Sequence, residues 1–235
     1  MGLFSRKKRE PVDDEADIAR DHAAAPVNPT KETPDHRADF AALVDREWDR
    51  LANAGTWWTG GERVAIAHDA RLAVDDQAAS GVLPGPVEEA TRRIAIDATS
   101  IRGADVTRWE VEGLDSFAFV EIAGVVSRLM AIDTAAFGLG LPIRPLPDAL
   151  PGEPTRDKPA DAAITNGWAP TVGPASAPSS LTAVPAEAAA MFDLHGVLYL
   201  TIDDMFEMQI EREGLTRPQI ELAAARTSTL NDCFY

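Results

Sequence analysis

The sequence predicts an all-α protein, a helical bundle built from two related helical units of which the second is incomplete. Three observations carry this. In "DFAALVDREWDRLA" apolar residues recur at Phe40, Leu43, Val44, Trp48 and Leu51, spaced by three and four, which makes one face of a helix. Segment after segment then opens on a helix-start signal, either a Thr followed three residues later by Glu or Gln, or a Pro in the first turn. The one stretch of strand-like content, "GVLYLTI", has no second strand to pair with, and an isolated strand is not stable, so it reads as helix or loop.

The elements follow in order. Residues 1–36 are charged, carry Pro11, Pro26, Pro29 and Pro34 and few large apolar side chains, and read as a disordered tail. Residues 37–145 form the first unit. After the helix around Trp48, "TGGERVAIAHDARLA" opens on Thr59 with Glu62 at capping-box spacing. Pro84 and Pro86 open "VEEATRRIAIDATSI". The long segment "DSFAFVEIAGVVSRLMAIDTAAFGLGLP" is apolar on nearly every side, which places it at the centre of the bundle, and Gly138, Gly140 and Pro142 end it. That ending explains "GLGLP" without a dinucleotide loop, which needs a third glycine and a preceding strand.

Residues 146–183 hold seven prolines among Gly, Ser and Ala, the composition of a linker or a wrapping arm, and Trp168 within it marks a point of docking. Residues 184–235 begin the second unit, with helices expected in "PAEAAAMF", "DDMFEMQIEREG" and "TRPQIELAAARTSTLN". In the middle one, Asp204, Glu207 and Glu211 fall on one face and Met205 and Met208 on another, which is ordinary amphipathicity. Trp57 and Trp58 read as anchors of a helix junction.

"TGGERVAIAHDARLAVDD" from Thr59 and "TRPQIELAAARTSTLNDC" from Thr216 share a Thr cap, Glu62 or Gln219 three residues on, and an Ala-rich amphipathic continuation. Capping boxes are common enough for chance to produce such a match. As a repeat, it says that one helical unit is used twice and sets Asp76 in the place of Cys233, leaving the first copy chemically silent.

With 38 acidic against 22 basic residues, a formal charge of -16 repels phosphate backbones and anionic lipid, which excludes nucleic acid as a natural partner. The single basic cluster, Arg6 to Arg9, is followed by Asp13, Asp14 and Glu15 in the tail. "MGLFSRKK" misses the myristoylation pattern because Arg6 stands where Ser or Thr is required. No apolar run reaches the roughly 20 residues of a membrane helix, Arg128 interrupting the longest, and no signal-peptide core is present. The expected compartment is cytoplasmic. His22, His36, His68 and His195 show no metal-ligand spacing, so neither metal nor cofactor is inferred; His195 reads as a satisfied or exposed side chain.

One cysteine excludes an internal disulfide and leaves an inert thiol, an intermolecular bridge or a reactive site. In "ELAAARTSTLNDCFY", Glu221 stands twelve residues before Cys233. With Thr216 as cap and Pro218 in the first turn, Glu221 lies on a helix and Asn231-Asp232 forms a turn or cap. Cys233 then begins a new helix, where free backbone N–H groups and the helix dipole favour a thiolate. A carboxylate near such a thiolate can move protons.

The Glu-to-Cys spacing and the run Arg-Thr-Ser-x-Leu-Asn-x-Cys resemble the active-site signature of the alkylhydroperoxidase D-like, or carboxymuconolactone decarboxylase-like, superfamily. "WWTGGERVAIAHDARLA" and the long apolar helix are similar to the cysteine-free first half of its longer members, so the resemblance spans most of residues 37–235, with specific motif content only in the last fifteen. It implies an all-helical, self-associating peroxidase that acts on hydroperoxides and is reduced by an external dithiol donor. Glu221 matches the proton-relay glutamate and Cys233 the first cysteine of a Cys-x-x-Cys pair. The second cysteine and a following histidine have no counterpart in this sequence. The resemblance therefore implies a selenoprotein read short at a UGA codon, with selenocysteine as the peroxide-attacking group, Cys233 resolving it, and the 235-residue chain nearly inactive. Two other readings stand beside this antioxidant oxidoreductase: a non-catalytic helical binding module, and a decarboxylase-like relative without peroxidase activity.

Overall fold

The computed structural model describes residues 36–212 and 214–231. The tail predicted for the N-terminus lies outside them, apart from His36, and so does Cys233. Eight helices make up the described fold: α1 (His36–Ala52), α2 (Gly60–Val74), α3 (Gly85–Asp97), α4 (Gly103–Val111), α5 (Ser116–Gly138), α6 (Pro185–Leu198), α7 (Ile202–Phe206) and α8 (Arg217–Leu230). Two antiparallel pairs of two-residue strands complete it, β1 (Ala162–Ala163) with β2 (Thr171–Val172) and β3 (Glu211–Arg212) with β4 (Leu215–Thr216). The all-α expectation holds.

α5 is the axis of the bundle. Its residues Val120, Ile122, Val125, Val126, Leu129 and Ile132 are all buried, and it packs against α2, α3 and α6. α1 turns Phe40, Leu43, Val44, Trp48 and Leu51 inward, the five positions that its spacing predicts. Asp115 caps α5 by accepting from the Phe117 N–H at 2.8 Å, and Gly140, at φ +66°, lets the chain reverse past its end. No helix among the described residues is long and apolar enough to cross a membrane. α5 has the length, but Glu121, Arg128 and Asp133 punctuate it.

The Pro-rich segment is a wrapping arm. It starts under the indole of Trp48, which donates to the Pro145 carbonyl at 2.6 Å, and then follows the α1–α2 junction through Leu150 N–H to Ala52 O and Arg156 N–H to Thr56 O, both 2.8 Å. A Cβ at Gly60 would strike the carbonyls of Ala52 and Leu150, so glycine there permits the close passage of the arm. Lys158 lies over Trp57 and Phe117, with Nζ 4.9 and 4.5 Å from the ring centroids, and reaches Asp115 at 3.3 Å. Trp168 rests on Gly103 at the start of α4. Trp57 is buried beside Phe117, and Trp58 donates to the Ala118 carbonyl at 3.0 Å, so both tryptophans tie the α1–α2 junction to α5.

One expectation fails. The helix predicted through "DDMFEMQIEREG" stops at Phe206, and Glu211–Arg212 pairs antiparallel with Leu215–Thr216, with Gly214 at φ +80°. Acidic side chains three and four apart repel along a helix face, and Arg217 competes for a carbonyl that would continue it. Arg217 Nη1 donates to Asp204 O at 2.9 Å, while Arg212 takes the α6 carbonyls of Gly196 at 3.0 Å and Val197 at 2.9 Å together with Tyr199 O. "GVLYLTI" divides into the end of α6, a short link and the first residue of α7.

Candidate functional site

α8 carries the predicted carboxylate. Thr216 N–H and Oγ1 both donate to Gln219 Oε1, at 2.9 and 3.0 Å, and Pro218 fills the first turn, so the helix starts where its cap residues require. Asn231 is its C-cap. Glu221 sits on the first turns, its Oε1 accepting from Tyr199 Oη at 2.8 Å and from Arg217 Nε at 2.6 Å. The Tyr199 hydroxyl, more than a modest burial penalty, and then the Arg217 guanidinium hold this carboxyl below the ordinary range. Tyr199 moves the other way, raised first by burial and then by the Glu221 carboxylate. Glu221 is thus an ionised acceptor bonded to a protonated phenol.

A groove of ≈ 890 Å³ runs between α8 and the ends of α1, α5 and α6. Phe40, Leu139, Leu198, Ile220 and Ala224 supply its apolar wall, with His195 and Tyr199 among the polar groups. His195 is satisfied, with Nδ1 2.7 Å from the Leu200 carbonyl, and its ring meets Tyr199 edge-on at 5.0 Å. The structure therefore brings Glu221, Tyr199 and Arg217 together, and of the three it is Tyr199 that lines the groove. From Glu221 to the end of α8 is about 14 Å along the axis at 1.5 Å per residue. A meeting of Glu221 with Cys233 requires the chain after Asn231 to fold back along α8.

A second polar cluster, absent from the sequence reading, lies in the core. Glu121, fully buried on α5, accepts from Trp57 N–H at 2.6 Å and pairs with Arg63 of α2. Arg63 Nη1 also reaches Glu187 of α6 at 2.9 Å, Glu187 takes Arg128 Nη1 at 2.6 Å, and Arg128 Nε donates to Glu47 of α1 at 2.9 Å. Glu47 continues to Arg50, and Arg50 to Asp193 at 2.7 Å, where Arg46 adds a two-pronged contact at 2.9 Å. An alternating chain of charge thus runs from the core to the surface and binds α1, α2, α5 and α6 together.

Two glycines make room for the cluster. A Cβ at Gly124 would collide with Glu187, and one at Gly55 with Glu121 and Arg63. Burial alone would raise the pKa of Glu187, yet Arg128 and Arg63 together pull it down. Glu121 moves up: burial is the largest cause, Arg63 opposes it, and Glu187 adds repulsion. Both oxygens of Glu121 accept from N–H donors, so the geometry describes a carboxylate, one that takes up a proton more readily than an exposed glutamate does.

The sequence held one signal for this cluster. Arg128 interrupts an otherwise apolar helix, and Glu121 precedes it by seven residues, two turns back on the same face. A charged pair so placed on a central helix needs buried counter-charges. Among the described residues no group of His, Cys, Asp or Glu is arranged to hold a metal ion. The chain matches no family model, no curated protein and no solved structure.

Proposed function

We propose that the protein is a peroxide-reducing thiol or selenol oxidoreductase of the alkylhydroperoxidase-like kind, centred on Cys233 with Glu221 as proton carrier. The observation that supports it most is the placement of α8. This helix holds an ionised Glu221 against the Tyr199 hydroxyl, walls a groove wide enough for a small organic hydroperoxide, and has its C-cap two residues before Cys233.

In the proposed reaction the second member of the pair, a cysteine or selenocysteine three residues after Cys233 in the family pattern, attacks the terminal peroxide oxygen as its anion. The O–O bond breaks, the alcohol leaves with one proton, and a sulfenic or selenenic acid forms. Cys233 attacks that centre and releases water, giving a disulfide or selenenyl sulfide. An external dithiol donor then reduces the bridge by two electrons. Glu221, with Tyr199 as its bonded neighbour, receives and returns protons during these steps.

The test is peroxide consumption by a chain in which a cysteine follows Tyr235, supplied with a dithiol donor. Turnover that disappears in Cys233→Ser and falls in Glu221→Gln supports the reading; absence of turnover with every dithiol donor sinks it. A second reading, a helical binding module, draws on the outer face of α8, where Leu222 and Leu230 are 71% and 66% exposed. An ordinary, unactivated Cys233 thiol pKa favours that reading, and a depressed one favours the oxidoreductase.

A further inference from the structure

We infer that the buried charge chain contains a built site for a single water molecule, held by the side chains of Arg63 and Glu47. Between α1, α2 and α5 lies a cavity of ≈ 20 Å³, lined by Glu47, Arg63 and Arg128 together with Trp48, Val125 and Leu129. That volume accepts one water and nothing larger.

The second observation is independent of the cavity. Arg63 is 3% exposed, its Nη1 serves both Glu121 and Glu187, and its Nε–H meets no protein acceptor within hydrogen-bonding distance. A guanidinium N–H buried without an acceptor is strongly disfavoured, so a site that has evolved around it supplies one. Glu47 offers the complementary function. Its Oε1 takes Arg50 and its Oε2 takes Arg128 Nε, and each carboxylate oxygen retains a further lone pair.

Charge decides the guest. The buried set holds three carboxylates, Glu47, Glu121 and Glu187, against two guanidiniums, Arg63 and Arg128, so an anion is repelled, while the group left without a partner is a donor, Arg63 Nε–H, which a cation cannot satisfy. A cavity lined by apolar groups alone stays dry; this one has charged donors and acceptors in its wall. Water accepts from Arg63 Nε–H and donates to Glu47. It thereby joins the Arg63–Glu121 end of the chain to the Glu47–Arg128 end by a route separate from Glu187.

Two measurements on the unaltered protein test this, so misfolding of a variant does not enter. A crystal structure that shows ordered solvent is expected to contain a density peak about 3 Å from Arg63 Nε and from a Glu47 oxygen. In solution, a nitrogen-edited NMR experiment is expected to show magnetisation passing between the Arg63 Nε–H and a bound water, with the Arg63 signal assigned through its correlations to its own side-chain carbons. No peak at the cavity while other internal waters are visible would overturn the assignment, as would xenon occupying the cavity in a pressurised crystal.

Discussion

α2 and α8 start alike and end up in different surroundings. Thr59 with Glu62 opens the first and Thr216 with Gln219 the second, by the same pattern of donation from Thr N–H and Oγ1 to the side chain three residues on. The helices then run for 15 and 14 residues. Seven residues of α2 are buried, from Gly60 to Ala73, whereas α8 buries Ile220 alone. The residue that α2 sets at the place of Ile220 is Arg63, the hub of the core charge cluster. A cap fixes where a helix begins, and its neighbours decide how much it contributes to stability.

The largest test of that difference exchanges one arginine on each side of it. Arg128→Met leaves Glu47 and Glu187 buried without their shared cation, and the expected loss is about 3–5 kcal/mol in chemical denaturation. Arg217→Met removes the partner of Glu221, whose side chain is 45% exposed, and solvent screening limits the loss to below about 1 kcal/mol. Comparable losses from the two substitutions would mean that α8 is as integral to the folded core as α2. Simultaneous replacement of the buried charges by apolar residues of similar volume is expected to restore much of the loss, since such clusters confer geometry more than net stability.

The caps come next. Thr59→Ala is expected to lower global stability by about 1 kcal/mol. Thr216→Ala is expected to leave the unfolding midpoint in place and to appear only as faster amide hydrogen exchange in the first turn of α8. A shift of the midpoint by Thr216→Ala equal to that of Thr59→Ala would remove the contrast between the two helices.

A smaller effect depends on pH. Glu121 has a folded pKa above the ordinary glutamate value of 4.5, so the folded state takes up this proton before the unfolded state does. Its ionised form carries a penalty at neutral pH that is relieved as pH falls through the raised value towards 4.5. Glu121→Gln is neutral throughout and has no such relief, so the deficit of the variant relative to the parent should grow between pH 7 and pH 5. Glu187 has the opposite sign: its pKa is depressed, its contribution is present above about 4.5 and is lost in more acid solution. A Glu121→Gln deficit that is flat, or that shrinks on acidification, would show that Arg63 outweighs burial at Glu121.

How much of this was legible follows from what each feature depends on. The caps, the inward face of α1 and the central place of α5 were readable because they rest on residues within a few positions of one another. The short α7 was missed because the Asp204 carbonyl, which would continue it, is taken by Arg217 from a later segment. The charge cluster was missed for the same reason on a larger scale: Glu47, Arg63, Glu121, Arg128 and Glu187 come from four helices, and nothing local distinguishes Glu47 or Glu187 from a solvated helix residue. Arg128 and Glu121 inside an apolar helix were the exception. At the candidate site the sequence offered Glu221 on a capped helix, while its partner Tyr199 belongs to a link whose path only the fold defines.

The smallest effect bears most directly on function. With the two capping threonines set side by side, Leu222 and Leu230 fall opposite Ala65 and Ala73, and Ala73 is buried in α2 whereas Leu230 is 66% exposed in α8. Larger apolar side chains at the positions with less cover suggest a face made to be covered. In the chain as described, Leu222→Ala and Leu230→Ala should each change stability by less than about 0.5 kcal/mol, as for solvent-exposed substitutions generally. A larger loss that grows with protein concentration would mean that a second copy covers this face in solution, since only a bound partner makes stability depend on concentration. The comparison between α2 and α8 would then be one between a helix buried within its own chain and a helix buried by association, and the groove beside Glu221 would lie next to a subunit interface.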